Sequence, residues 1–373
     1  MREQEVLDVL RCEGPMSRAA IARRCQVSKP TVSSIVQTLL EAELVLEQGR
    51  DPSPNGRPGR LLAFNARAGY VIGIDVGGTT TRAVLADLQG QVVGALRVAT
   101  ERGPAPALVA QLGAVAHDLA ARGGATGRVA NVVICTPGVV DRARRRIAIA
   151  PNLPALETDG FLDRLDATFG VPLLLLNDVN AATLGELHRG AGAGLRDLVY
   201  LNVGTGLGLG LVIGGSLHHG VAGRAGEFGL VPYPPGLAST LEEALSGEGL
   251  RRRHLAAGGS GAPEDAFREA EAGCEPGASL VSTFLDDLAW ALSAVGTLLD
   301  PERIVLGGGI GLRCVSYLAA IRDAVARNAG FDVDLAIAQL GDDAGLTGAV
   351  ETALAPARRV ERWRKGGRLA HSA

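Results

Sequence analysis

The sequence predicts an α/β protein of two similar lobes with a small helical head in front. Three observations predict it. Tyr70 to Thr81 runs as an apolar strand into Gly77-Gly78 and resumes as a second strand, Thr80 to Leu88, which makes a glycine hairpin. The same order of glycine hairpin, helices and strand returns from Asp197 onward. The first 66 residues carry instead three short helical patterns and an arginine-rich loop.

The composition sets limits. The chain has 373 residues, is 47% hydrophobic and 21% charged, and carries a net charge of −3. That balance suits an ordinary globular protein and excludes a globally basic one, so any nucleic-acid binding must be local. Lysine occurs only at Lys29 and Lys365, leaving arginine to supply the positive charge. The five cysteines, Cys12, Cys25, Cys135, Cys274 and Cys314, have neither metal-ligand nor redox spacing. Reduced, mostly buried thiols in a cytoplasmic protein are expected. No apolar run approaches 18 residues and no signal peptide is read, so no membrane role is expected.

In the head, Glu3 to Cys12 places Val6, Leu7, Val9 and Leu10 on one helical face, and Gly14-Pro15 stops it. Ser17 is placed to cap a second helix, Arg18 to Cys25, and Ser28 a third, with Pro30 in its first turn. Val32, Ile35, Val36, Leu39 and Leu40 form the apolar stripe of that third helix. Its other face presents Ser28, Lys29, Thr31, Ser33, Ser34 and Gln37, short hydroxyls and a cation suited to phosphate and base-edge contact in a major groove. Leu44 to Leu46 and Leu61 to Phe64 read as two strands of a wing. The loop between them holds Arg50, Arg57 and Arg60 against Asp51 alone, as a minor-groove or phosphate grip requires. Residues 1–66 are thus read as a winged helix-turn-helix domain for double-stranded DNA, the alternative being a helical bundle for protein contact.

In the body, Asp75 is an acid inside an apolar strand, where it is out of place unless it serves a metal or ligand. The Gly77-Gly78-Thr79 turn brings backbone N–H groups close to an anion. A strand Gln91 to Thr100, a helix Ala105 to Arg122, a strand Val129 to Cys135 ending in Thr136-Pro-Gly138, a strand Leu173 to Leu176 and a helix Asn180 to Leu187 follow. The second half repeats with the strand Asp197 to Val203, the turn Gly204-Thr205-Gly206-Leu-Gly208 and the strand Leu209 to Ile213. Helices at 239–252 and 279–299, a strand Ile304 to Leu306 entering Gly307-Gly308-Gly309, and a helix at 313–329 complete it. The expected lobes are 67–187, completed by a helix near 345–355, and 188–344, with a basic, disordered tail at 356–373.

Nine stretches taken together carry a resemblance: Ser28-Lys-Pro-Thr-Val-Ser33, Gly56-Arg-Pro-Gly-Arg60, Asp75-Val-Gly-Gly-Thr79, Ala150-Pro-Asn-Leu-Pro154, Asn177-Asp-Val-Asn-Ala181, Gly204-Thr-Gly206, Gly226-Glu227, Leu299-Asp-Pro301 and Gly307-Gly-Gly309. Over residues 5–355 the chain resembles the winged-helix transcriptional regulators of the ROK (repressor, open reading frame, kinase) family. The resemblance implies an actin-like ATPase/sugar-kinase fold. It makes Asp178 the match to the general base of the kinase members, Asn177 and Glu227 sugar contacts, and Glu242 the match to a further one. Asp75 matches a magnesium-side carboxylate; Gly77 to Thr79 and Gly204 to Gly206 match phosphate turns, and Gly307 and Gly308 a nucleotide-side loop. ATP with magnesium is the cofactor pair this admits.

Three departures weigh against catalysis. Leu230 stands where the family has a metal-binding histidine, and Pro232 to Ser239 contains no cysteine, so no zinc or other metal site is expected. Leu209 replaces a glycine and is expected to crowd a nucleotide phosphate. The resulting expectation is a sugar-responsive regulator, a repressor and a homodimer or higher homo-oligomer, with operator DNA and a sugar or sugar phosphate as partners. The alternative is an ATP-dependent hexose kinase carrying a DNA-binding head, and a DNA-binding protein with a decayed ligand site is the third reading.

Overall fold

The computed structural model describes residues 2–50, 59–233 and 240–364. The head runs α1 (Arg2–Glu13), β1 (Met16–Ser17), α2 (Arg18–Arg24), α3 (Lys29–Glu41), β2 (Val45–Arg50) and β3 (Arg60–Phe64). The chain continues with β4 (Tyr70–Val76), β5 (Thr80–Asp87), β6 (Val92–Ala99), α4 (Ala105–Arg122), β7 (Val129–Thr136), β8 (Val139–Asp141), β9 (Arg146–Ala148), α5 (Phe161–Phe169), β10 (Leu173–Asn177) and α6 (Asp178–Arg189). It then forms β11 (Leu198–Val203), β12 (Leu207–Ile213), β13 (Ser216–Leu217), α7 (Leu241–Leu245), α8 (Gly247–Ala256), α9 (Pro263–Glu271) and α10 (Gly277–Leu299). Last come β14 (Arg303–Gly307), α11 (Gly308–Arg313), α12 (Leu318–Ala329), β15 (Leu335–Ile337), α13 (Ala344–Ala357) and α14 (Glu361–Arg364).

The duplication read from the sequence is visible in the sheets. One five-stranded sheet has the order β10-β7-β4-β5-β6, the other β15-β14-β11-β12-β13. Each opens with an antiparallel hairpin whose second strand pairs onward with the next, β4–β5–β6 and β11–β12–β13. Contacts divide the chain into two compact units, Met1–Ile134 with Phe161–Leu174 and Val350–Ala373, and Cys135–Gly160 with Leu175–Ala349. These bounds fall elsewhere than the expected 66/67 and 187/188 breaks.

The first unit includes the head because the head is stitched to it. Gln4 Nε2 donates to Arg358 O at 3.1 Å, and Gln4 Oε1 accepts from Val360 N at 2.9 Å. Arg358 in turn donates to Leu88 O (2.8 Å) and Gln89 O (3.0 Å). Arg362 donates to Ala130 O, and Trp363 Nε1 to Ala357 O at 2.9 Å. Residues 356–364, expected to begin a disordered tail, instead continue α13 and form α14, with Arg358 and Arg362 donating to backbone carbonyls of the same unit. The rest of that tail, 365–373, lies outside the described residues.

Within the head, Val6, Leu7, Leu10, Ile21, Val32, Val36, Leu39, Leu44 and Leu62 are buried to 1% exposure or less, so the stripes read from the sequence do form its core. Ser28 caps α3, accepting from Thr31 N at 3.3 Å. Ser17 does not cap α2 with its side chain; it pairs instead with Leu61, adding β1 to a three-stranded sheet of order β1-β3-β2.

The second unit alternates its sheet residues by face. Val199, Leu201 and Val203 enter a core with α7 to α12, while Leu198 and Tyr200 pack on the side of α6. α10 is long and apolar enough to cross a membrane by length and composition alone, but its Val281, Phe284, Leu288, Leu292 and Val295 are buried in this core. The single helix expected at 239–252 is two, because Ser246 caps α8 and breaks the run. That at 313–329 is likewise split: α11 ends at Arg313, and a short 3-10 turn precedes α12. The cysteines are mixed, with Cys25, Cys135 and Cys314 buried and Cys12 and Cys274 exposed.

Candidate functional site

The first glycine turn belongs to the first unit. Asp75 faces Arg82 across the hairpin, and Arg82 Nη2 lies 2.7 Å from Asp75 Oδ2. The acid that looked out of place in an apolar strand thus has an internal cation. Gly77 N donates to Thr80 O at 3.0 Å, and Thr100 Oγ1 donates to Gly77 O at 2.7 Å, which pins the turn. Thr79 is exposed at its tip and Gly78 half-buried.

The second glycine turn lies in the second unit and is latched to a helix start. Gly204 N donates to Gly206 O (3.0 Å), Gly247 N to Gly204 O (2.7 Å) and Glu248 N to Thr205 O (3.3 Å). Glu242 reaches over the same turn, its Oε2 accepting from Leu207 N at 3.1 Å. A Cβ on Gly206 would stand 2.9 Å from that oxygen, and one on Gly229 3.3 Å from it. Glu227 follows Gly226, whose φ of +92° and 1.8 Å approach of a would-be Cβ to Leu209 O leave room for glycine alone. Gly226 O accepts from Leu209 N at 2.9 Å, which fixes Glu227 beside β12. Burial first, and then the charge of Glu242, push the Glu227 carboxyl above its usual range. Two carboxylates therefore converge here, one of them reluctant to ionise.

The start of α6 is built on the other side of β12. Asn177 caps it, Oδ1 accepting from Asn180 N at 3.1 Å, and Asn177 Nδ2 donates to Gly138 O at 3.1 Å. Among the described residues the second amide hydrogen of Asn177 has no hydrogen-bond acceptor. Asp178 is exposed in the first turn, with Oδ1 accepting from Val179 N at 2.8 Å, where the helix dipole favours its charge. A Cβ on Gly208 would meet Val179 at 2.7 Å, so α6 rests directly on β12. The third turn is as close: a Cβ on Gly307 would meet Tyr200 Oη at 2.1 Å, and one on Gly308 would meet Val203 O at 2.5 Å. Within the second unit, the Glu227–Glu242 pair can accept hydrogen bonds from ligand hydroxyls, and glycine turns of this kind can offer backbone amides to an anion.

Residues 71–356 match the model of the ROK family. The chain belongs to the ROK family. The xylose repressor of Bacillus subtilis (strain 168) is 32% identical over 216 residues, 58% of this chain and 56% of that repressor. This ROK chain thus spans little more than half the length of that curated relative. The crystal structure of the ROK hexokinase from Thermus thermophilus is 31% identical with a TM-score of 0.70, covering 78% of this chain and 99% of that one. A ROK family transcriptional regulator described as a homologue of the Escherichia coli MLC protein has the same fold over 99% of this chain and 98% of its own, with a TM-score of 0.79 at 20% identity. Repressors and sugar kinases thus both stand among the relatives of this ROK protein.

One expectation is corrected. Leu209 does not crowd a phosphate: it alternates inward along β12 and is buried in the second unit's core with Leu207 and Leu211. Glu242, whose alignment the shortened segment had loosened, lies against both the Gly206 turn and Gly229. Leu230 is 54% exposed. Among the described residues no group of three or more His, Cys, Asp or Glu is placed to hold a metal; residues 234–239 of the shortened segment are outside them.

On the head, Lys29, Ser33, Ser34 and Gln37 are exposed along α3, opposite its buried stripe. Thr31 is half-buried and shares a 2.7 Å hydrogen bond with Ser28 Oγ, so these two hydroxyls serve the cap first. Gln37 Nε2 donates to Glu41 at 2.9 Å. Arg60 is paired with Glu47, and Arg57 lies outside the described residues.

Sequence reasoning missed three features around the α6 start. Gly138 folds beneath the β8–β9 hairpin, a Cβ there being 2.8 Å from Ala148 O. Ile149 adopts φ +59°, a conformation β-branched residues avoid, with its side chain 47% exposed. Thr136 Oγ1 is buried without a hydrogen-bond partner. The Thr136-Pro-Gly138 strand end was the available signal.

Proposed function

We propose that this chain is a sugar-responsive, DNA-binding transcriptional regulator, a repressor, acting as a homodimer or higher homo-oligomer. Its head is read as a winged helix-turn-helix whose α3 enters the major groove. The observation that carries this is the division of α3: Val32, Ile35, Val36 and Leu39 are buried while Lys29, Ser33, Ser34 and Gln37 are exposed. A polar helix face of short side chains, displayed with no packing use, fits base edges and phosphates. The repressor named for xylose among its relatives points to a sugar effector. Asn177, Asp178, Glu227 and Glu242 are the residues we assign to it. The test is selection of duplexes from a random pool by the purified chain, followed by mobility shift with sugars and sugar phosphates. Binding to a selected palindrome that a sugar alters supports the reading; no enrichment contradicts it.

A specific observation also favours the kinase reading. Asp178 is exposed at a helix N-terminus, as a general base must be to meet a hydroxyl, and the hexokinase relative matches this chain over 99% of its own length. Against it stand Arg82, which engages Asp75, and Leu230. Incubation with ATP, magnesium and common hexoses decides: turnover abolished by Asp178→Ala establishes the kinase.

A further inference from the structure

Two arginines of the head converge on one carboxylate, and only one of them was expected to meet DNA. The pairing of Ser17 with Leu61 sets Arg18, the first residue of α2, beside Arg60, the first residue of β3. Glu47, on β2, stands opposite Leu62 in the same sheet. Arg18 Nη2 donates to Glu47 Oε1 at 3.2 Å, and Arg60 Nη1 donates to the other oxygen, Oε2. Arg60 above all, and Arg18 with it, hold the Glu47 carboxyl below its usual range.

The side chains are accessible, at 36% for Arg18, 69% for Arg60 and 28% for Glu47. Exposed ion pairs of this kind contribute little to stability, so fold stability is a weak reason for gathering them. Two guanidinium forks aimed at the two oxygens of one anion make the geometry that recognises a phosphodiester. The first helix of a helix-turn-helix crosses the DNA backbone, and Arg18 begins that helix here.

We infer that Arg18 and Arg60 form a clamp for one backbone phosphate of duplex DNA, and that Glu47 occupies this clamp in the free protein as an internal stand-in for the phosphate. This rests on the DNA-binding reading of the head. It adds Arg18 as a contact and gives Glu47 a role opposite in sign: the carboxylate keeps both forks aligned and competes with the nucleic acid for them. Sequence-independent affinity is thereby held down, which favours discrimination by the α3 face.

The experiment uses the full chain, a fluorescently labelled mixed-sequence duplex and a salt series read by anisotropy. Arg18→Ala is expected to weaken binding on every sequence and to reduce the slope of log K against log salt by about one. Arg18→Lys keeps the charge and is expected to keep the slope while losing severalfold in affinity. Glu47→Gln is expected to bind the mixed-sequence duplex severalfold more tightly, the opposite sign to Arg18→Ala. A salt bridge that merely latches α2 to the sheet predicts the same sign for both variants, and that result would overturn the inference. So would an unchanged affinity and slope in Arg18→Ala while the wild type binds. A wild-type chain that binds no duplex at any salt overturns the DNA-binding reading itself, and the two failures are distinct.

Discussion

The contact between α6 and β12 gives a prediction whose size follows from the geometry. A Cβ placed on Gly210 would stand 1.7 Å from Thr183 Oγ1 and 2.8 Å from Thr183 Cβ, and Thr183 is fully buried. Neither side can yield easily: Thr183 Oγ1 donates to Val179 O at 2.7 Å within α6, and Gly210 pairs with Tyr200 in the sheet. Overpacking of this kind costs ~1–3 kcal/mol, and so short an approach places Gly210→Ala near ~3 kcal/mol. Thr183→Ala alone loses one hydrogen bond and a methyl group, about 1–2 kcal/mol. In the Thr183→Ala background the hydroxyl obstacle is gone but the 2.8 Å Cβ contact persists. Gly210→Ala should then cost only about 1–2 kcal/mol, a coupling of roughly 1–2 kcal/mol between the sites. Urea unfolding followed by Trp290 fluorescence in a Trp363→Phe background reports on the second unit, since Trp290 lies there. Because α6 begins at Asp178, Gly210→Ala should also weaken effector binding. Costs that add to within about 0.5 kcal/mol would refute the close-packing argument.

Three further expectations can be checked directly. Glu227 has a folded pKa raised by burial and by Glu242, so its contribution to stability is full below the unfolded carboxylate value and is lost as pH rises through the folded one. Glu227→Gln should therefore be more stable than wild type at neutral pH, lose that advantage on acidification, and bind effector more weakly; urea midpoints across pH show it. Arg358→Ala removes two bonds to carbonyls and the 3.7 Å pairing with Glu351. It should cost about 2–4 kcal/mol and loosen α1, visible as faster amide exchange in residues 4–10. Asp178→Ala should abolish the response to sugar while leaving effector-free DNA affinity within about twofold, as titration of a selected duplex would show.

Much of the fold was legible because periodicity and glycine turns are local. The stripe of α3, the two hairpins and the two-fold repetition of strand order all come from residues near in sequence. What was hidden depends on distant partners. β1 is two residues long and exists only because β3 passes beside it. Arg82 claims Asp75 through strand register, and Glu47 gathers Arg18 and Arg60 from positions 29 and 13 residues away. Leu209 illustrates the limit from the other side: a residue replacing a glycine in a motif looked obstructive, yet strand alternation turns it into the core. Residues 356–364 were misjudged because their arginines read as a solvated run, whereas Arg358 and Arg362 spend their guanidinium groups on backbone carbonyls. At the candidate site the motif pairs made Asn177, Asp178 and Glu227 the expected sugar contacts, whereas nothing in the local pattern announced the left-handed Ile149.

Fluorescence anisotropy of a duplex enriched by the purified protein, titrated with and without a panel of sugars, addresses the regulator account most directly. That account predicts binding to a palindrome, with one sugar changing the affinity by about 5–150-fold and with the change lost in Glu227→Gln. Affinity indifferent to every sugar, together with sugar-dependent consumption of ATP by the same preparation, would contradict it.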